Sequence, residues 1–184
     1  SQKKIIFVVT TPITSETVDM LRLLYQAISK ENQDPDKYYI IIKHHPNAQY
    51  IQDYREKVIE IIDPWLKVIT HQIIWDSINV HEYIKMSNVV LTSGGSLPLE
   101  AMIIGVPPIL YSSKNSFSHN PLQNYPQSAL TVNDTASMYA ALKKVCNNEF
   151  NNGYKNHWCE PINNMFGVFQ NNQYKKIIEL MESL

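Results

Sequence analysis

NVVLTSGGSLPLEAMIIGVPPIL, residues Asn88 to Leu110, is the stretch on which the reading of this chain turns. Val89 to Leu91 is a short apolar, β-branched run of the kind that forms a strand buried on both faces. Ser93-Gly94-Gly95-Ser96 is a small-residue turn, and Leu97 to Ile104 predicts an apolar helix with a single charge, Glu100. Gly105 stops that helix before a second strand from Pro108. The chain has 5 glycines, and Gly94, Gly95 and Gly105 all fall here. Glycine so unevenly placed marks backbone that must turn tightly or come close to something.

Toward the N-terminus, Ile5 to Val9 predicts a buried strand. Thr10-Thr11-Pro12 leads into a helix with Thr14 or Ser15 as cap, Glu16 in its first turn, and Val18, Leu21, Leu24 and Ile28 at helical spacing. Tyr38 to Ile42 predicts the second strand, ending at Lys43-His44-His45-Pro46. Tyr50 to Ile62 reads as a mixed helix closed by Pro64, Leu66 to Ile69 as a third, shorter strand, and Asn79 with Glu82 as a capping box opening a short helix. Toward the C-terminus, Ser112 to Ser128 predicts a long surface loop and Leu130 to Val132 a weak strand. Asp134 caps a helix with Met138, Leu142 and Val145 on its apolar side. Asn147 to Gly167 reads as irregular, and Val168 to Leu184 as a closing helix that buries Ile177, Ile178 and Met181.

Strands alternating with helices predict an α/β fold: a Rossmann-like three-layer α/β/α arrangement around a mainly parallel sheet. Right-handed crossovers bring the strand-to-helix loops to one edge of such a sheet, where its ligands bind. Thr10 to Ser15, Lys43 to Pro46 and Ser93 to Ser96 converge there.

Composition narrows the function classes. A length of 184 residues suits one well-cored domain, and 44% apolar with 18% charged residues is ordinary for a globular chain. A formal net charge of -1 gives no bulk attraction to nucleic acid or an anionic membrane. No apolar run approaches the roughly 20 residues needed to cross a bilayer. Cys146 and Cys159 make no metal-ligand spacing, which fits a reducing, cytoplasmic location. The start at Ser1-Gln2, without a leader, leads us to expect a domain cut from a longer polypeptide.

Ser93 to Ser96 opens a helix whose first amides lack internal partners and whose dipole is positive at that end, so the turn is either a phosphate cradle or a plain serine-capped turn. Glu100, one helical turn after Ser96, is either a carboxylate that accepts the two hydroxyls of a ribose or a solvated glutamate complementing the helix dipole. Lys43 and His45 share one face of an extended segment, with His44 on the other, and offer cationic or donor groups to a phosphate. Their plainer roles are a surface lysine and a capping histidine. Thr11 lines the first loop, as do Thr10 and Thr14. Asp34-Pro35-Asp36 matches a DxD metal pattern but falls on the opposite edge and reads as a turn. His71 and Gln72 follow the predicted third strand, within reach of a base. His71, His81, His119 and His157 show no spacing for a shared metal. Neither GxGxxG after the first strand nor GxxxxGK[ST] occurs, which disfavours dehydrogenase and P-loop NTPase readings.

Taken together, SNVVLTSGGSLPLEAMIIGVPPIL resembles the nucleotide-sugar-binding motif in the C-terminal Rossmann-like domain of GT-B glycosyltransferases. IIIKHHPN resembles the HP motif of bacterial sialyltransferases and of capsule or surface-polysaccharide transferases. The resemblance implies one half of a GT-B fold that binds a UDP-, CDP- or CMP-activated sugar. Ser93, Gly94, Gly95 and Ser96 would then hold the donor phosphates, Glu100 the ribose, and His45 with Lys43 the phosphate, with Thr11 beside them. It implies no metal and no other cofactor, a glycan acceptor, and an N-terminal acceptor domain outside this chain that supplies the catalytic base. The full-length protein would associate peripherally with the membrane. Ser-Gly-Gly-Ser departs from the paired serines of sialyltransferases, which counts against a CMP-sugar. A GT-B-fold nucleotide-sugar epimerase and a non-catalytic scaffold domain are the competing readings.

Overall fold

The computed structural model describes residues 3–30, 35–64, 69–76, 78–113, 120–149 and 155–166. Within them lie strands β1 (Lys4–Val9), β2 (Tyr38–Lys43), β3 (Thr70–Ile74), β4 (Val89–Thr92), β5 (Pro108–Tyr111) and β6 (Leu130–Val132). The helices are α1 (Thr14–Ser29), α2 (Tyr54–Ile62), α3 (Val80–Met86), α4 (Leu97–Ile104), α5 (Thr135–Cys146) and α6 (Cys159–Phe166). The strands form one sheet in the order β3-β2-β1-β4-β5-β6, and every pairing is parallel. This is the expected Rossmann-like α/β architecture.

Side-chain alternation along the central strands supplies both faces of the sheet. Ile6, Val8, Ile40, Ile42, Leu91 and Ile109 point to the side covered by α1, α2 and α5, against Leu21, Leu24, Val58 and Leu142. Phe7, Ile41 and Val90 point to the other, against Ile84 of α3 and Ala101 of α4. A third cluster extends that second layer, where Leu99 and Met102 of α4 meet Leu110, Leu122, Trp158 and Ile162. Helix α4 is thus packed on two sides, which is why nearly all its positions are apolar. Each such buried Leu, Ile, Phe or Met contributes about 1.5–3 kcal/mol through burial.

The chain runs outward from β1 to β3, then returns to β4 and runs outward again to β6. Strands β1 and β4 are neighbours at the reversal, so the loops after them diverge and leave a crevice at the sheet's carboxyl edge.

Several boundaries differ from expectation, for identifiable reasons. The third strand is Thr70–Ile74, four residues beyond the predicted start, and Leu66 to Val68 lie outside the described residues. As an edge strand paired to β2, it alternates exposed and half-buried positions instead of forming an apolar run. His71 and Gln72 consequently sit inside the strand, away from the ligand edge, and the expected contact with a base is corrected. The predicted helix over Tyr50 to Ile62 begins only at Tyr54, because Asp53 adopts a left-handed conformation (φ 58) after a 3-10 turn at Pro46–Tyr50. Helix α1 is capped by the Ile13 backbone without a side-chain bond, so neither Thr14 nor Ser15 caps it. Asn79 does cap α3, but it accepts from the amide of His81 and not from that of Glu82, so the expected capping box is not formed.

The stretch Asn147 to Gly167, expected to be irregular, contains α6, whose Ile162 fills the third cluster. Pro161 sits in the first helical turn, where its missing N–H costs nothing. The predicted closing helix over 168–184, with Ile177, Ile178 and Met181, lies outside the described residues, as does part of the loop expected over Ser112 to Ser128. The capping role of Asp134 is present, with Ser137 completing a reciprocal capping box.

Gly105 ends α4 in the left-handed region (φ 93), its amide bonding to Met102 O at 3.1 Å and that of Val106 to Ala101 O at 2.8 Å. An added Cβ would approach Lys155 Nζ no closer than 4.0 Å, so the cost of a side chain there is conformational. Gly105→Ala is expected to destabilise the fold by about 1 kcal/mol, measurable as a lower urea midpoint with unchanged slope.

Candidate functional site

The crevice at the reversal is a cleft of about 360 Å³. Thr10 to Ile13 and Glu16 form one wall, Thr92 to Leu97 the other, and His45 lines it as well. Thr92 and Ser93 are buried where β4 ends, while Gly95 and Ser96 are exposed at the mouth. Pro98 at the second helical position has no N–H, and the amide of Leu99 already bonds to Ser96 O at 3.0 Å. The donors that α4 presents to the cleft are therefore the backbone amides of the turn and of Leu97. Gly95 has φ +76, and a Cβ built on it would meet no protein atom within 4 Å. Gly95 lines the cleft at its exposed mouth.

His45 is the N-cap of the 3-10 turn at Pro46–Tyr50; its Nδ1 accepts from the amide of Asn47 at 3.1 Å. Pro46 occupies the first position of the turn, where an N–H would lack a partner in any case. Since Nδ1 accepts, the ring proton of neutral His45 resides on Nε2. Burial, and then the positive charge of Lys43, lower its pKa below the ordinary 6.5, so at neutral pH His45 is an uncharged Nε2–H donor. His45→Asn keeps a side-chain oxygen to cap the turn but draws the remaining N–H donor back toward the backbone, short of the position of Nε2. Thermal melting is expected to move little, while nucleotide affinity by calorimetry falls about tenfold.

Lys43 is 4% exposed and does not line the cleft. Its Nζ donates to the carbonyl of His44 at 2.5 Å, and burial lowers its pKa against the opposing influence of Asp76. Lys43 and His45 are thus not side by side: the histidine faces the cleft and the lysine supports the loop beneath it. Thr11 is on the cleft wall, with its hydroxyl donating to Glu16 Oε2 at 2.9 Å.

A buried polar network ties these loops together. Thr10, 2% exposed, accepts the amide proton of His45 at 3.2 Å on its hydroxyl and lies 2.8 Å from the Tyr54 hydroxyl. That phenol donates to Thr11 O at 3.2 Å and lies 3.2 Å from His44 Nδ1. His44 stacks on Trp75 (ring centroids 3.8 Å apart, 14° between planes), and the Arg55 guanidinium lies over the same indole at 4.8 Å. His44 Nε2 is buried without a hydrogen-bond partner. Desolvation first, then the charges of Lys43 and Arg55, push the His44 pKa down to about 3. Alternation along Lys43-His44-His45 signalled that His44 turns away from the cleft. Nothing in the sequence marked Tyr54 as the link between the loops after β1 and β2.

Glu100 projects from the first turn of α4 toward α3. Its Oε1 accepts from Ser96 Oγ at 2.5 Å, and its Oε2 lies 3.0 Å from His81 Nε2. Both side chains of the His81–Glu100 pair remain about one quarter exposed, at 24% and 26%. Glu16, read from sequence only as a first-turn acid, is instead a cleft carboxylate at 8% exposure. Asp36 of the DxD match lies in a turn on the opposite edge, 3.5 Å from Lys3 Nζ, and Asp34 is outside the described residues. Among the described residues, no group of His, Cys, Asp and Glu is placed to hold a metal ion, and no helix is long and apolar enough to cross a membrane.

The sheet order, the reversal between β1 and β4 and the glycine turn opening α4 define a doubly wound, Rossmann-like domain with its crevice at the strand reversal. The chain belongs to the capsule polysaccharide biosynthesis protein family, whose model matches residues 8–148. Among curated proteins none matches. Among solved structures, a UDP-forming α,α-trehalose-phosphate synthase from Burkholderia vietnamiensis superposes with a TM-score of 0.69 at 14% identity, over 98% of this chain and 44% of that one. The structure described as OtsA in its apo state gives 0.70 at 17%, over 99% and 44%. UDP-GlcNAc 2-epimerase from Neisseria meningitidis, bound to UDP-GlcNAc, gives 0.58 at 13%, over 99% and 45%. The chain spans less than half the length of the structures it matches.

Proposed function

We propose that this chain is the donor-nucleotide-sugar-binding domain of a glycosyltransferase that builds a bacterial surface polysaccharide. The observation that carries this reading is the cleft at the strand reversal, lined by the Ser93 to Ser96 turn, the first residue of α4 and His45. Those groups are donors that match the oxygens of a diphosphate or phosphate ester, and they need no net positive charge to do so. The family match and the trehalose-phosphate synthase likeness support the same reading.

In the full enzyme, a second domain would bring the glycan acceptor and the catalytic base to the mouth of the cleft. The bond from the anomeric carbon to the donor phosphate breaks through an oxocarbenium-like transition state. The turn amides, the α4 dipole and the neutral His45 donor then stabilise charge accumulating on the departing phosphate. Lys43 contributes through the loop carbonyl it holds. The epimerase likeness supports a second reading, a nucleotide-sugar epimerase domain, at a lower TM-score.

Calorimetric titration of UDP, CDP, CMP and GDP, each with and without a chelator, tests the proposal. Binding of at least one nucleotide, unaltered by the chelator, is expected. Affinity that disappears on chelation would overturn the metal-independent site, and absence of binding by all four would overturn the donor-domain reading.

A further inference from the structure

The carboxylate of Glu100 is held from two helices at once. Ser96, the N-cap residue of its own helix, donates to Oε1 at 2.5 Å, and His81, in the first turn of α3, faces Oε2 at 3.0 Å. The first turns of α3 and α4 lie at the same sheet edge, and Asn79 Oδ1 fixes the backbone of His81 by accepting its amide at 3.2 Å. A bare imidazole nitrogen and a carboxylate have no hydrogen to share, so the ring carries its proton on Nε2 and donates.

We propose that His81 is a positioning residue that sets Glu100 to receive the vicinal hydroxyls of a ribose, making Ser96, Glu100 and His81 one ribose-selective unit. This rests on the donor-domain reading above and deepens it. Each oxygen of an ionised carboxylate accepts in two directions. Ser96 takes one on Oε1 and His81 one on Oε2, which leaves one acceptor direction on each oxygen of a planar group whose orientation is already fixed. That pair of acceptors matches the spacing of the 2′ and 3′ hydroxyls. Held by Ser96 alone, four residues away at the cap of the same helix, the carboxylate would retain rotamer freedom and lose it only on binding, at a cost in affinity. A glutamate serving only the helix dipole has no need of a donor from a second helix. The partial exposure of both side chains, 24% and 26%, keeps the free edge of the carboxylate accessible.

The test compares binding of UDP and 2′-deoxy-UDP, or of the tightest nucleotide and its 2′-deoxy form, to the wild-type chain, Glu100→Gln, His81→Ala, His81→Gln and the His81→Ala/Glu100→Gln double variant. The wild type is expected to prefer the ribonucleotide about tenfold, and both His81→Ala and Glu100→Gln to lose most of that preference. The double variant should lose no more than either single one, and His81→Gln, which restores an N–H donor, should recover part of the preference. If Glu100→Gln abolishes the preference while His81→Ala only lowers the melting temperature, the positioning role is overturned and the ribose role of Glu100 stands. If Glu100→Gln leaves the preference intact, or the wild type binds neither nucleotide, the ribose reading itself falls and the proposal with it.

Discussion

Acidification from about pH 7 to about pH 4 is expected to remove about 3 kcal/mol of folding stability through one residue, His44. The folded protein holds this imidazole neutral, with a pKa pushed down to about 3, whereas the unfolded chain restores the ordinary 6.5. Between those values the unfolded state binds a proton that the folded state refuses. Stability is therefore fully present above about 6.5 and declines as pH falls toward about 3. The cause is visible in the packing: His44 is 1% exposed and stacked on Trp75, and its Nε2 has no acceptor that could welcome a proton. Lys43 and Arg55 add repulsion. His44→Phe preserves a flat ring against the indole and removes the titration. Urea midpoints measured across this range should fall steeply for the wild type and much less for the variant; equal slopes would show that other groups govern the acid limb.

Gly95→Val is expected to separate folding from function. The left-handed backbone at Gly95 (φ +76) is unfavourable for a side chain by about 1–2 kcal/mol, and more for a β-branched one. For a domain of this size that lowers the melting temperature by a few degrees. Nothing in the protein lies within 4 Å of the new Cβ, so the valine meets no clash within the fold and its effect on binding comes from crowding the turn proposed to hold the phosphate. Nucleotide affinity should fall about a hundredfold. Gly105→Val is the control, because it places the same side chain in the same left-handed region at the far end of α4, outside the residues that line the cleft. Comparable loss of affinity in both variants would mean that distortion of α4, not obstruction of the cleft, is responsible.

The contrast between these glycines shows how far the residues alone carry the reading. The strand, turn, helix and stop over Asn88 to Leu110 are legible because the turn and the stop coincide with Gly95 and Gly105, whose left-handed backbone favours glycine. Parallel pairing and loop convergence follow from the alternation of apolar strands and helices. The edge strand Thr70–Ile74 is less legible, since a strand open to water on one side keeps polar residues and loses the apolar run. At the site, the composition of Ser93 to Ser96 and the dipeptide His45-Pro46 are local signals. By contrast, the convergence of Tyr54 with Thr10, and of His81 with Glu100, depends on residues separated in sequence by 44 and 19 positions. No periodicity reports such meetings. Lys43 illustrates the converse: strand alternation assigns its face, but not that a flexible side chain will fold back onto its neighbour's carbonyl.

The central claim, that the turn opening α4 holds the phosphate of a nucleotide, is tested most directly by amide chemical shifts. In a titration of the isotopically labelled chain with UDP, CDP, CMP and GDP at millimolar concentration, the amides of Gly94, Gly95 and Ser96 should shift with at least one ligand, whereas amides in β3 stay still. Shifts absent from all three turn amides with every nucleotide would contradict the account.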